Sequence, residues 1–138
     1  MTTILTSVER AERALHEDDF QVLVTDLAER LGWSWLHIRP GRTEHGWRTP
    51  ISGPLGKGFP DLVLLRVRDR RLLFVELKRE LEQPDAAQAA VLAALGTLAG
   101  AWVDQVPGGP GLWIHVRVWR PSDLRDPIVT SRIYEVLR

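Results

Sequence analysis

The sequence predicts an α/β domain in which a central mixed β-sheet, built around a β-hairpin, is flanked by helices. Three observations predict it. Two aliphatic runs, DLVLLRVR (61–68) and RLLFVELK (71–78), are separated only by a charged turn. A stretch before them and another after them repeat apolar residues at helical steps, and a later run, LWIHVRVW (112–119), alternates in the manner of a strand. The order helix, strand, strand, strand, helix, strand disfavours a pure bundle or sandwich, because each apolar face must be covered by a different kind of layer.

The first helix rests on Phe20, Val24, Leu27 and Leu31, spaced three and four apart from Glu17 onward, with Gly32 as the stop. Thr6 and Glu9 form a capping-box pattern for an earlier helix leading into it. WSWLHIR (33–39) favours a strand. The near-continuous apolar character of the hairpin runs predicts burial on both faces. After Pro84, an Ala-rich stretch from Asp85 to Ala99 places Val91, Leu92, Leu95 and Leu98 on one face of a second helix. Pro121-Ser122-Asp123 ends the last strand, and a short helix follows from Thr130 to Leu137.

The 138 residues, 44% hydrophobic, suit one domain over 1–138 with a core at about 17–124 and are too few for two. Pro and Gly gather at 40–60 and 107–111, which read as loops, not linkers. The longest apolar run falls short of the roughly 20 residues of a membrane helix, and the N-terminus turns charged too early for a signal peptide, so a cytoplasmic protein is expected. Without cysteine there is no thiolate chemistry and no cysteine-bound zinc, which leaves oxygen or imidazole ligands and points to hard cations. The net charge is zero, against a strong non-specific nucleic-acid binder. Yet residues 39–79 hold ten Lys or Arg against four Asp or Glu, between acidic flanks. A solvated hairpin with arginines outside accounts for this equally well.

Pairing register decides whether the charged residues of the hairpin cooperate. With Val67 opposite Leu72, paired positions sum to 139, Asp61 faces Lys78, and Asp61, Glu76 and Lys78 share one face, the carboxylates roughly 5 to 8 Å apart. A slip of one residue would separate Asp61 from Glu76. Charges ending an otherwise greasy strand face need each other, water or a metal. A structural Glu-Lys-Asp ion cluster is the competing reading. Of eighteen basic residues sixteen are Arg, so a lysine at 78 suggests a site that wants a compact ammonium.

Gly58-Phe59-Pro60-Asp61-Leu62, followed by Glu76-Leu77-Lys78, resembles the PD-(D/E)XK nuclease superfamily, and most closely its VRR-NUC branch in the small stand-alone form of phages and bacteria. The resemblance implies a restriction-endonuclease-like core. It also implies Mg2+ or Mn2+ held by Asp61, Glu76 and the Leu77 carbonyl, with Lys78 positioning the attacking water. The family's acidic residue on the first helix matches Glu17, whose alternative is simple complementarity to the helix dipole. The glutamine about a dozen residues after the motif matches Gln88, which is otherwise an ordinary helix-end residue. Gly32, Trp33 and His37 and the Trp119-Arg120-Pro121-Ser122-Asp123 ending also resemble phage members, whereas the VPGGPG segment (106–111) departs from them.

The resulting expectation is a Mg2+-dependent DNA endonuclease, structure-selective for branched DNA and acting as a homodimer. Arg39, Arg42, Arg48 and Lys57 would grip the backbone as sequence-neutral phosphate contacts, with His37 near the DNA or the site. A non-catalytic DNA-binding or assembly module of the same fold, and a hydrolase of small phosphoesters, are the rival classes.

Overall fold

The computed structural model describes residues 3–38, 41–44, 46–48, 51–99, 102–103, 112–125 and 131–138. Thr6 opens α1 (Ser7–Ala14) with the expected capping box: its hydroxyl accepts from the Glu9 N–H, and Glu9 accepts from the Thr6 N–H. Leu15 turns extended, so α1 ends before α2 (Glu17–Arg30) begins. Gly32, at φ 86°, then turns the chain into β1 (Ser34–His37), a conformation that glycine adopts without Cβ strain. A two-stranded ribbon, β2 (Gly41–Thr43) and β3 (Gly46–Arg48), stands in the basic segment read as loop. A 3-10 turn at Gly56–Gly58 leads to the hairpin of β4 (Leu62–Arg66) and β5 (Arg71–Leu77). Helix α3 (Ala86–Gly96), the two-residue β6 (Trp102–Val103), β7 (Leu112–Trp119) and α4 (Arg132–Leu137) complete the chain.

The main sheet is open and mixed, in the order β1-β4-β5-β7-β6, with β5 and β7 parallel and the other pairs antiparallel. One face carries Leu62, Leu64, Leu73, Val75 and Leu77, all at most 1% exposed, against Phe20, Val24 and Ala28 of α2 and Ile133 and Leu137 of α4. Each such side chain contributes about 1.5 to 3 kcal/mol by leaving water. The opposite face is only partly covered: Leu65 is exposed, while Val63, Leu72 and Phe74 are half-buried. The predicted two-sided burial is therefore corrected to one closed face and one that α3 covers in part.

The hairpin register is corrected as well. Leu65 pairs with Leu72 and Arg66 with Arg71, so paired positions sum to 137, not 139. The turn moves one residue towards the N-terminus because Arg66 closes it. Its Nε and Nη2 donate to Asp69 at 2.9 and 2.8 Å, and Arg70 adopts the left-handed conformation. A change of two in the sum preserves face parity, so Asp61, Glu76 and Lys78 remain on one side; Asp61 now stands opposite Glu76 instead of Lys78. Arg66 itself is 3% exposed, and its guanidinium also donates to the carbonyls of Leu31, Leu137 and Arg138, tying the ends of α2 and α4 to the sheet. It stacks 4.7 Å from the Trp33 ring, whose indole N–H donates to the Leu137 carbonyl. At the other helix, Asp85 caps α3, which ends at Gly96; Leu98 lies beyond that end, 57% exposed, off the predicted apolar face.

Candidate functional site

The β4–β5 ladder ends at Leu62 and Val75, which leaves the next main-chain groups of β5 to find other partners. Leu77 donates its N–H to Asp61 Oδ2 at 2.8 Å, and Lys78 donates its N–H to the Trp119 carbonyl at 3.0 Å. On the far side of Asp61, its carbonyl accepts from the Ile38 N–H at 2.8 Å. The end of β5 is thus held by β7 on one flank and by a side chain on the other.

Glu76 is completely buried there. Its Oε1 accepts from Gln88 Nε2 at 2.7 Å and lies 3.5 Å from Lys78 Nζ, while no donor reaches Oε2. A buried carboxylate oxygen without a donor is costly, and it calls for a proton or a cation. Desolvation first, and the charge of Asp61 second, push the Glu76 carboxyl up to about 8. Burial likewise raises Asp61, against the Leu77 N–H and the positive groups around it. The two carboxyl groups lie within hydrogen-bonding reach, so they can share one proton.

Gln88 is a helix-end residue that also reaches Glu76. As N3 of α3 it completes a capping box with Asp85, donating its main-chain N–H to Asp85 Oδ1 at 2.8 Å and accepting from the Asp85 N–H at 2.9 Å. Its amide N–H is what remains for Glu76. Glu17, at the head of α2, is half-buried; burial first and the charge of Asp61 second raise its carboxyl. His37 pairs across to Leu62 and is close enough for its charge to act on Asp61. Lys57 is exposed on the 3-10 turn packed against α3. The backbones of Arg42 and Arg48 lie in β2 and β3, whereas Arg39 and the 106–111 segment fall outside the described residues.

Two features escaped the sequence reading. A Cβ on Gly58 would lie 2.2 Å from the Ala87 carbonyl oxygen and 2.8 Å from the Gln88 nitrogen, so this glycine lets the 3-10 turn press against the start of α3. Phe59 meets Phe74 edge-to-face, ring centroids 5.8 Å apart, on the half-open face that also carries Glu76. The Gly-Phe-Pro-Asp run carried the first signal; nothing local carried the second.

Oxygen donors of this kind suit a hard divalent cation, and the orphaned Glu76 Oε2 beside Asp61 is where one would be held. Among the described residues no group of three or more His, Asp or Glu side chains is gathered closely enough to enclose an ion, and Glu17 lies near enough for the charge of Asp61 to act on it. No helix among them is long and apolar enough to cross a membrane. Comparison with protein-family models, with curated proteins and with solved structures finds no match to this chain.

Proposed function

We propose that the chain is a metal-dependent phosphodiesterase acting on DNA, a nuclease of the PD-(D/E)XK type with a restriction-endonuclease-like core. The observation that carries this reading is Glu76, a buried carboxylate with one oxygen lacking a donor, set opposite Asp61 and beside Lys78 at the open end of a strand pair. Mg2+ or Mn2+ on Asp61, Glu76 and the Leu77 carbonyl would supply Lewis-acid activation of water and neutralise charge on the phosphorane and the leaving oxygen. Gln88 fixes the Glu76 carboxylate by one hydrogen bond and keeps its second oxygen for the site. Asp61 is fixed in turn by the Leu77 N–H. Lys78, 12% exposed, is the group placed between the buried acid and solvent, suited to orient a water or to meet developing negative charge. Glu17 adds negative potential near Asp61, and Arg42, Arg48, Lys57 and His37, with Arg39, are the proposed backbone contacts. A structure-selective endonuclease acting on branched DNA as a homodimer remains the finer form of the proposal, on family resemblance.

The test is incubation with labelled linear, flapped and four-way DNA in Mg2+, Mn2+ or EDTA. Cutting that needs the metal and falls at least about 1,000-fold in Asp61→Ala is expected. Failure to cut any substrate with either metal, or unchanged cutting by the variant, removes the reading. A second reading, a structural acid pair inside a non-catalytic DNA-binding module, is favoured by the complete burial of Glu76. It predicts DNA binding without turnover under every metal condition.

A further inference from the structure

At the end of β7, outside the carboxylate cluster, a polar cavity of about 440 Å3 is lined by Arg117, Trp119, Arg120, Ser122, Asp123 and Arg132. Three arginines line it from different elements: Arg117 from β7, Arg120 from the residue after it, and Arg132 from the first turn of α4. Among the described residues two carboxylates stand against them: Asp123, in the lining, and Glu80, whose Oε2 accepts from the Ser122 N–H at 2.9 Å. Asp123 is already engaged, accepting from the Arg120 N–H at 2.8 Å and lying 3.7 Å from Arg132 Nη1, which is 85% exposed. Arg117 donates to the neighbouring Val116 carbonyl, and Arg120 donates to the Glu82 carbonyl and to Gln83 Oε1. Among the described residues neither forms an ion pair. Among the described residues the cavity therefore carries more positive than negative side chains, and backbone carbonyls orient two of them, Arg117 and Arg120, an arrangement that suits planar donors to a tetrahedral anion.

We propose that this cavity is a phosphate-binding site, separate from the Asp61–Glu76 cluster. Arg117 pairs with Val75, whose side chain faces α2 and α4, while Glu76 projects from the other side of the same strand. A phosphate held by Arg117 is accordingly not the one facing the carboxylates. It is either a neighbouring phosphate of a nucleic-acid backbone crossing the ends of β5 and β7, or free inorganic phosphate. The inference goes beyond the nuclease reading and needs no cleavage to be tested.

The experiment follows the side-chain N–H resonances of Arg117 and Arg120 by NMR, in EDTA, as inorganic phosphate is added, and measures duplex DNA binding by anisotropy across a salt series. The full-length wild type is compared with Arg117→Gln/Arg132→Gln and with Arg13→Gln/Arg30→Gln, a pair that removes two exposed charges elsewhere. Saturable shifts in the wild type, weakened about 100-fold in the first double variant and little changed in the second, are expected from the loss of two charge-assisted hydrogen bonds. If DNA affinity falls too, with a salt slope shallower by about 2, the ligand is backbone phosphate. If only inorganic phosphate is affected, the ligand is the free ion, and the site stands. Absence of a saturable shift, or equal weakening by the control pair, overturns it. Arg117→Lys, which keeps the charge, separates lost binding from misfolding, since it retains part of the affinity.

Discussion

Replacing Glu76 by Gln tests the physics on which the candidate site rests. The Glu76 carboxyl stands at about 8 in the folded chain against an ordinary value of 4.5, because burial first and the Asp61 charge second disfavour its ionised form. The folded state therefore holds a proton that the unfolded state has released, and stability falls as pH rises through this interval. This is the reverse of the usual salt-bridged carboxylate. Integrated from about pH 5 to about pH 9, the linkage amounts to about 4 kcal/mol. Glutamine keeps a carbonyl for the Gln88 amide and puts an N–H2 where the acid carries its proton, so it imitates the protonated state at every pH. Urea denaturation in EDTA at a series of pH values should show wild type losing several kcal/mol across the window and Glu76→Gln holding level. The variant should be the more stable by roughly 2 to 4 kcal/mol at about pH 9 and within about 1 kcal/mol at about pH 5. Wild-type stability that stays flat or rises with pH, or a variant less stable than wild type in alkali, would refute the reasoning.

Added Mg2+ should stabilise the wild type above neutral pH by up to about 2.7 kcal/mol at a hundredfold excess over Kd, raising its Tm, and leave the Tm of Glu76→Gln in place; equal shifts in both, read by calorimetry, would place the ion elsewhere. Arg66→Met should cost about 3 to 5 kcal/mol in urea denaturation, since it removes at once the donors that the buried guanidinium gives to the carbonyls of Leu31, Leu137 and Arg138 and to Asp69, leaving Leu137 only the Trp33 indole N–H. Gly58→Ala should cost about 1 to 3 kcal/mol and speed hydrogen exchange in the first turn of α3, because the new methyl must displace Ala87. Asp61→Asn keeps an acceptor for the Leu77 N–H and should fold within about 1 kcal/mol of wild type while losing metal-dependent cutting; Asp61→Ala should lose about 1 to 3 kcal/mol as well.

Long periodic segments were legible from sequence because one repeating face determines them. The stripe of Phe20 and Val24 located α2, and the alternation of LWIHVRVW located β7 at Leu112–Trp119. What local pattern could not show was anything decided by a distant partner. Arg66 lies in the first hairpin run, where a solvated hairpin would carry its arginines outside, yet it is buried because α2 and α4 both end on it, 35 and 71 residues away. That same side chain chose the turn and so displaced the register by two. Of the candidate site, the shared face of Asp61, Glu76 and Lys78 followed from parity alone, which the displacement left intact. Their mutual contacts did not, because they depend on which residue stands opposite which. Short strands such as β2, β3 and β6, of two or three residues amid glycine and proline, carry too few positions to reveal a period.

Asp61 ties the architecture to the proposed chemistry. Where the β4–β5 ladder stops, Leu77 still has an N–H to satisfy, and the Asp61 carboxylate takes the place that a main-chain carbonyl would have filled. One oxygen is committed to the fold, and the same contact fixes the carboxylate opposite Glu76. Glu76 is fixed from its own side by Gln88, which is anchored by Asp85 and seated by the close approach of Gly58. Neither acid can withdraw from the other without breaking a hydrogen bond that the sheet or α3 also needs. Their repulsion is therefore maintained by the fold, and a proton or a cation is what relieves it. A cluster held in this way binds a cation at the expense of a proton, so in the proposed enzyme cation affinity must rise with pH over the same interval in which the metal-free protein loses stability.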